Sequence, residues 1–168
     1  MKKLLLLFGI FFGMLLSTQE VKSQDYEFAA GLRAGFGFSA TGKMSLDGTN
    51  ALEGIVNFRS FNSGVFKYNW IRIVGLYEIH NDLSSVTEGF YWYYGGGATV
   101  GFYGGDYSLV PGESFTSAFV GVVGVIGVDY TFPTAPINLS LDWIPSITFG
   151  GGGGFNTGGG GLAIRYVF

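Results

Sequence analysis

The sequence predicts an all-β protein: an eight-stranded antiparallel up-and-down transmembrane β-barrel, preceded by a signal-peptide helix. Three observations predict it. Apolar and polar residues alternate strictly in eight segments, the period of a strand whose two faces meet different surroundings. Glycine supplies 30 of 168 residues and aromatic residues 18%, a mixture poor for helices and suited to curved sheets. The last segment places Leu162, Ile164, Tyr166 and Phe168 on one face and Gly161, Ala163, Arg165 and Val167 on the other. A strand ending on an aromatic is expected to pair with the first strand, so that the sheet closes and no edge remains.

Lys2 and Lys3 precede an apolar run from Leu4 to Leu16, and a polar stretch from Ser17 to Gln24 follows. This is the layout of a secretory signal peptide, and the run is short of the ~20 residues of a permanent span. Val21 and Ser23 occupy the small-residue positions of a cleavage site. Residues 1–24 are therefore assigned to the signal peptide and 25–168 to the barrel. Their removal takes three of nine Lys and Arg and one of twelve Asp and Glu, leaving six against eleven, a net charge of −5. That balance argues against a nucleic-acid partner. The chain has no cysteine, which excludes a lipoprotein anchor, a disulfide framework and a thiolate metal site.

The elements follow by parity. In Phe28–Phe38 the even positions Phe28, Ala30, Leu32, Ala34, Phe36 and Phe38 oppose Ala29, Gly31, Arg33 and Gly35, with Glu27 just before. Ala40–Leu46 sets Met44 and Leu46 against Thr41, Lys43 and Ser45, and Asp47-Gly48-Thr49-Asn50 reads as a tight turn. Ala51–Arg59 opposes Leu52, Val56 and Phe58 to Glu53, Ile55, Asn57 and Arg59. Tyr68–His80 opposes Ile71, Ile73, Tyr77 and Ile79 to Arg72, Val74, Leu76, Glu78 and His80. Phe90–Tyr103 is aromatic on both faces, and Trp92, Tyr94, Ala98, Val100 and Phe102 are assigned outward. Phe115–Phe132 sets Val120, Val122, Ile126 and Tyr130 against Ser117, Gly121, Val123, Gly127 and Asp129. Ile137–Trp143 alternates with Asn138, Ser140 and Asp142, and the terminal strand makes eight.

One face carries no charge. The other collects Glu27, Arg33, Lys43, Glu53, Arg59, Arg72, Glu78, Asp129, Asp142 and Arg165, five acids against five bases. In a membrane barrel the apolar face meets lipid and the polar face lines the interior. Eight strands leave an interior that its own side chains fill, so the ten charges are expected to form a paired internal network. Segment lengths of about nine to eleven residues suit a tilted bilayer crossing. Both termini and the turns Asp47–Asn50, Asn81–Gly89 and Thr131–Pro136 are expected in the periplasm. Loops near Gly37–Ser39, Ser60–Lys67, Gly104–Ser114 and Pro145–Gly159 face outward. The Gly150–Gly154 run lacks the Lys-Ser or Lys-Thr of a phosphate loop and reads as a surface loop.

With these residues in hand, the chain resembles the small eight-stranded outer-membrane β-barrel proteins of Gram-negative bacteria, an uncharacterised barrel family. The resemblance rests on Leu162, Ile164, Tyr166 and Phe168, which match the C-terminal signal read by barrel-assembly machinery. It rests also on Gly31–Gly35, Gly75–His80 and Ala135–Trp143. It implies an outer-membrane protein in contact with lipid, a monomer without cofactor, inserted by that machinery, and it carries no established activity. Weak contacts through Tyr103, Tyr107 or Phe155 are the expected extent of surface interaction.

Chemistry is sparse. A lipid A deacylase-type enzyme would need the lone histidine, His80, beside Ser84 or Ser85 with Glu78, Asp82 or Glu88 as orienting acid. The intervening Asn81-Asp82-Leu83 breaks the close His–Ser spacing of such enzymes, and His80 is expected at a periplasmic turn. A calcium site at Asp106 and Glu113 in an outward loop would rest on only two acids seven residues apart. A non-enzymatic barrel with a structural or surface-interaction role is the expected function; a lipid-modifying enzyme of the lipid A deacylase or palmitoyltransferase type, or a narrow pore, is the alternative.

Overall fold

The computed structural model describes residues 26–168 apart from 36, 63–65, 108–113 and 152. The expected signal peptide, Phe36 and Glu113 lie outside the described residues, as do the side chains of Asp106 and Tyr107. Ten strands are formed and, among the described residues, no helix: β1 (Phe28–Gly35), β2 (Gly37–Ser45), β3 (Asn50–Asn62), β4 (Phe66–Asp82), β5 (Phe90–Tyr107), β6 (Ser114–Thr131), β7 (Ile137–Trp143), β8 (Ser146–Gly150), β9 (Gly154–Asn156) and β10 (Gly161–Val167).

They make eight staves. β1 to β6 pair in sequence, β7 and β8 both lie on β6, β9 pairs with β8, and β10 pairs with β7 and with β1. β7 and β8 are two halves of one stave interrupted at Pro145, which has no N–H for the ladder. The Pro145 carbonyl still accepts from the Gly124 amide at 2.9 Å. β9 and β10 complete the last stave, and Ala29 opposite Val167 through Gly35 opposite Gly161 closes a fully antiparallel barrel.

Several boundaries depart from expectation: β3 runs on to Asn62, β4 starts at Phe66, β5 runs on to Tyr107 and β6 starts at Ser114, so strand extends into the segments read as the loops Ser60–Lys67 and Gly104–Ser114. Gly35 stands opposite Gly37, so Gly37–Ser39 opens β2 instead of forming a loop. Gly37 sits at φ +116°, which a side chain would disfavour. The stretch 145–159, expected as a loop, contains β8 and β9. Its alternation spans only Ser146–Phe149 before the glycines begin, too short a pattern to read locally.

The parity of the eight segments carries over to the barrel. Leu32, Ile73, Val120, Val122, Ile126, Leu141, Ile147, Leu162 and Ile164 are exposed on the outer surface. Among the strand residues whose side chains are described, none on that surface is charged. Near the rim that holds the termini stand Phe28, Trp92, Tyr94, Tyr130, Tyr166 and Phe168; Tyr166 and Phe168 meet edge-on at 5.0 Å and Phe28 and Phe168 at 5.9 Å. Toward the far rim the aromatics are phenylalanines: Phe38, Phe58, Phe102 and Phe149.

Inside, three layers succeed one another. A charged layer lies below the terminal rim. A band of Ile55, Val74, Leu76, Tyr93, Val123, Val125 and Ile144 crosses the middle, and a polar layer around Arg33, Arg72 and Thr99 faces the far rim. The apolar middle band was not expected from a face read as polar; its members are scattered among charged positions on four strands, with Ile144 at the break between β7 and β8.

Candidate functional site

The charged layer is built from five staves. Lys43 of β2 is fully buried, with its ammonium 2.9 Å from Glu78 of β4, 3.3 Å from Asp129 of β6 and 3.6 Å from Glu53 of β3. Arg165 of β10, 1% exposed, pairs with Glu53. Its other nitrogens donate to Ser140 at 2.7 Å, Asn138 at 3.0 Å and Thr41 at 3.3 Å. Asn138 in turn donates to Asp129 at 2.6 Å and Thr131 at 3.0 Å. Each acid thus meets a cation or a donor. This is the condition under which charge can stay buried, since each isolated ion would cost several kcal/mol of desolvation.

Aromatic rings finish the layer. The Lys43 ammonium lies 4.3 Å from the centre of the Tyr93 ring, a cation–π contact sheltered from solvent. On Tyr93 the His80 imidazole stacks at 4.9 Å. Tyr26, Ala29 and Val167 form a second buried cluster nearer the terminal rim. The space Tyr93 needs comes from Gly127 of β6: a Cβ there would stand 2.7 Å from the Tyr93 ring. This is why small residues interrupt the inward face.

A second pair stands apart. Arg33 of β1 binds Asp142 of β7 and donates to the Gly159 carbonyl at 2.9 Å. The Tyr93 hydroxyl, 3.3 Å from Asp142, links this pair to the first cluster. Gly161 leaves room for the guanidinium, since a Cβ there would come within 2.5 Å of it.

Seven of the ten expected interior charges are therefore buried and paired. The other three are not in the cluster. Glu27 precedes β1 and is exposed at the terminal rim, and Arg59 is exposed toward the far rim. Arg72 is half-buried, donating to the Thr99 hydroxyl at 2.9 Å. Parity assigns a face but not a depth, and these three lie at levels away from the cluster.

His80 is the residue that its expected position at a turn misjudged. It is buried inside the barrel, Nε2 3.1 Å from Glu78 and Nδ1 3.9 Å from Asp129. Its shared parity with Glu78 was the signal. Ser84 and Ser85 are exposed in the following turn, where the Ser84 hydroxyl and amide both donate to Asp82. No serine hydroxyl is hydrogen-bonded to His80, so the His–Ser pairing of a deacylase is not assembled among the described residues. Nor do these residues hold a group of three or more His, Asp or Glu side chains arranged for a metal ion.

No protein-family model matches this chain, and no curated protein matches it.

Proposed function

We propose that this chain is an exported, non-enzymatic outer-membrane β-barrel of the small eight-stranded Gram-negative type, with a structural or surface-interaction role. One observation carries the reading: the hydrophobic pattern is inside out. A charge-free aliphatic belt between two sets of aromatics lies on the outer surface, while Lys43, Glu53, Glu78, Asp129 and Arg165 are buried within. In water the belt would be a continuous exposed apolar surface far larger than soluble monomers carry. In a bilayer it meets acyl chains, and Tyr, Trp and Phe at its margins meet the headgroup level. The expected signal peptide supplies export, and Phe168, Tyr166, Ile164 and Leu162 supply the strand that assembly machinery would read.

The filled interior favours a scaffold over a pore. The test expresses the full chain in a Gram-negative host and follows its fractionation and its gel migration with and without boiling. Recovery in the outer-membrane fraction with heat-shifted migration is expected. A soluble periplasmic product that runs identically boiled and unboiled would refute the proposal. Unchanged lipid A mass spectra and absence of current steps in planar bilayers are the expected results for a structural barrel.

A further inference from the structure

Arg72 poses an electrostatic problem that the paired cluster does not solve. It projects from β4 into the far half of the interior, where a cavity of about 40 Å³ is lined by Arg72, Arg33, Asn57, Trp70 and Asn156 among others. Its Nε donates to Thr99, but its Nη2 is buried and meets no acceptor among the described residues. A guanidinium stays protonated, and Arg72 makes no ion pair among the described residues. Asp142 is held by Arg33, which lines the same cavity. The charged layer near the terminal rim holds Lys43 and Arg165 against Glu53, Glu78 and Asp129, so its surplus is negative and lies beyond the apolar band. Among the described interior side chains, positive charge is left over in the far half, beside a partly open cavity.

We propose that this cavity is a binding site for one small anion of halide or carboxylate size, held by Arg72. The space exceeds the ~10–15 Å³ that a single water requires and admits a group of a few atoms. Two polar side chains border it, Arg72 and Asn57; Asn57 sits directly opposite Arg72 in the β3–β4 register, and its amide nitrogen reaches the Arg72 carbonyl at 3.5 Å. Asn57 itself accepts from Ser39 at 2.6 Å, which orients its amide. A bound anion would neutralise Arg72 and tie β3 to β4 at the level where the ion-paired layers end.

Trp70 lines the cavity, stacked on Phe119 at 6.4 Å, and so reports on it. The mature barrel is refolded in zwitterionic detergent with Trp92→Phe and Trp143→Phe, leaving Trp70 as its sole tryptophan. Iodide quenching is then measured at constant ionic strength against gluconate, which is too large for the space. Saturable quenching displaced by chloride is expected. Arg72→Gln and Asn57→Asp are each expected to weaken it about tenfold or more, the scale of one charge-assisted hydrogen bond. Asn57→Asp keeps Arg72 and supplies an internal carboxylate opposite it, so it carries the test even where Arg72→Gln does not fold. Quenching linear in iodide and indifferent to chloride, or saturable quenching equally strong in Asn57→Asp, would overturn the site and leave a water-filled cavity.

Discussion

Replacing Arg165 by methionine removes the most connected cation of the buried layer while keeping much of its volume. The guanidinium pairs with Glu53 and donates to Asn138, Ser140 and Thr41. After substitution Glu53 retains the Thr41 hydroxyl and Lys43 at 3.6 Å, and Lys43 is already shared with Glu78 and Asp129. At an effective dielectric of about 20 and a charge separation of about 4 Å, the lost attraction is about 4 kcal/mol. This agrees with the ~3–5 kcal/mol typical of breaking a buried pair from one side. The expected result is a lower midpoint in urea unfolding from detergent or lipid, with an unchanged slope. Glu53→Gln in the Arg165→Met background should recover about 1–3 kcal/mol, because the stranded carboxylate is what costs most. An unchanged midpoint for the single variant would refute the reasoning, as would a double variant that loses the sum of the two singles.

Three further outcomes are expected. Gly127→Ala sets a methyl 2.7 Å from the Tyr93 ring and from the Leu141 carbonyl, and should cost about 1–3 kcal/mol by overpacking; Gly54→Ala, with nothing within 4 Å, should stay within about 1 kcal/mol in the same unfolding assay. Ile164→Arg, in the exposed belt, should destabilise the barrel in bilayers by about 2–4 kcal/mol; equal stability in lipid would argue that this surface faces water. Deleting Phe168 removes one rim hydrogen bond, its amide to the Phe28 carbonyl at 2.9 Å, so refolded stability should change by only about 1 kcal/mol. Assembled protein in cells should fall several-fold, measured by heat-shifted bands in membrane fractions; equal yields would detach Phe168 from assembly.

Much of the fold was legible because a strand's side-chain period is local. Leu162, Ile164 and Phe168 opposite Ala163, Arg165 and Val167 can be sorted within nine residues, and the same holds for Glu53 and Ile55 against Leu52 and Phe58. Where the local pattern shortens, legibility ends. Ser146–Phe149 lies between Pro145 and a glycine run, and only pairing with β6 reveals it as half a stave. His80 shares the parity of Glu78, yet its place at a strand end suggested an interface; β4 runs on to Asp82 and keeps the imidazole inside.

By itself, then, the sequence determined the number of staves, the face of each side chain and the segregation of charge to one side of the sheet. It could not say which charges meet. Arg165 and Glu53 lie 112 residues apart, and Lys43 and Asp129 86 apart. Their encounter depends on the stagger with which eight staves close, a property of the whole ring and of no single strand. The same stagger leaves Arg72 without an ion pair among the described residues. The physical reason is that alternation is a backbone period of two residues, whereas depth inside a barrel is set only when the last strand finds the first.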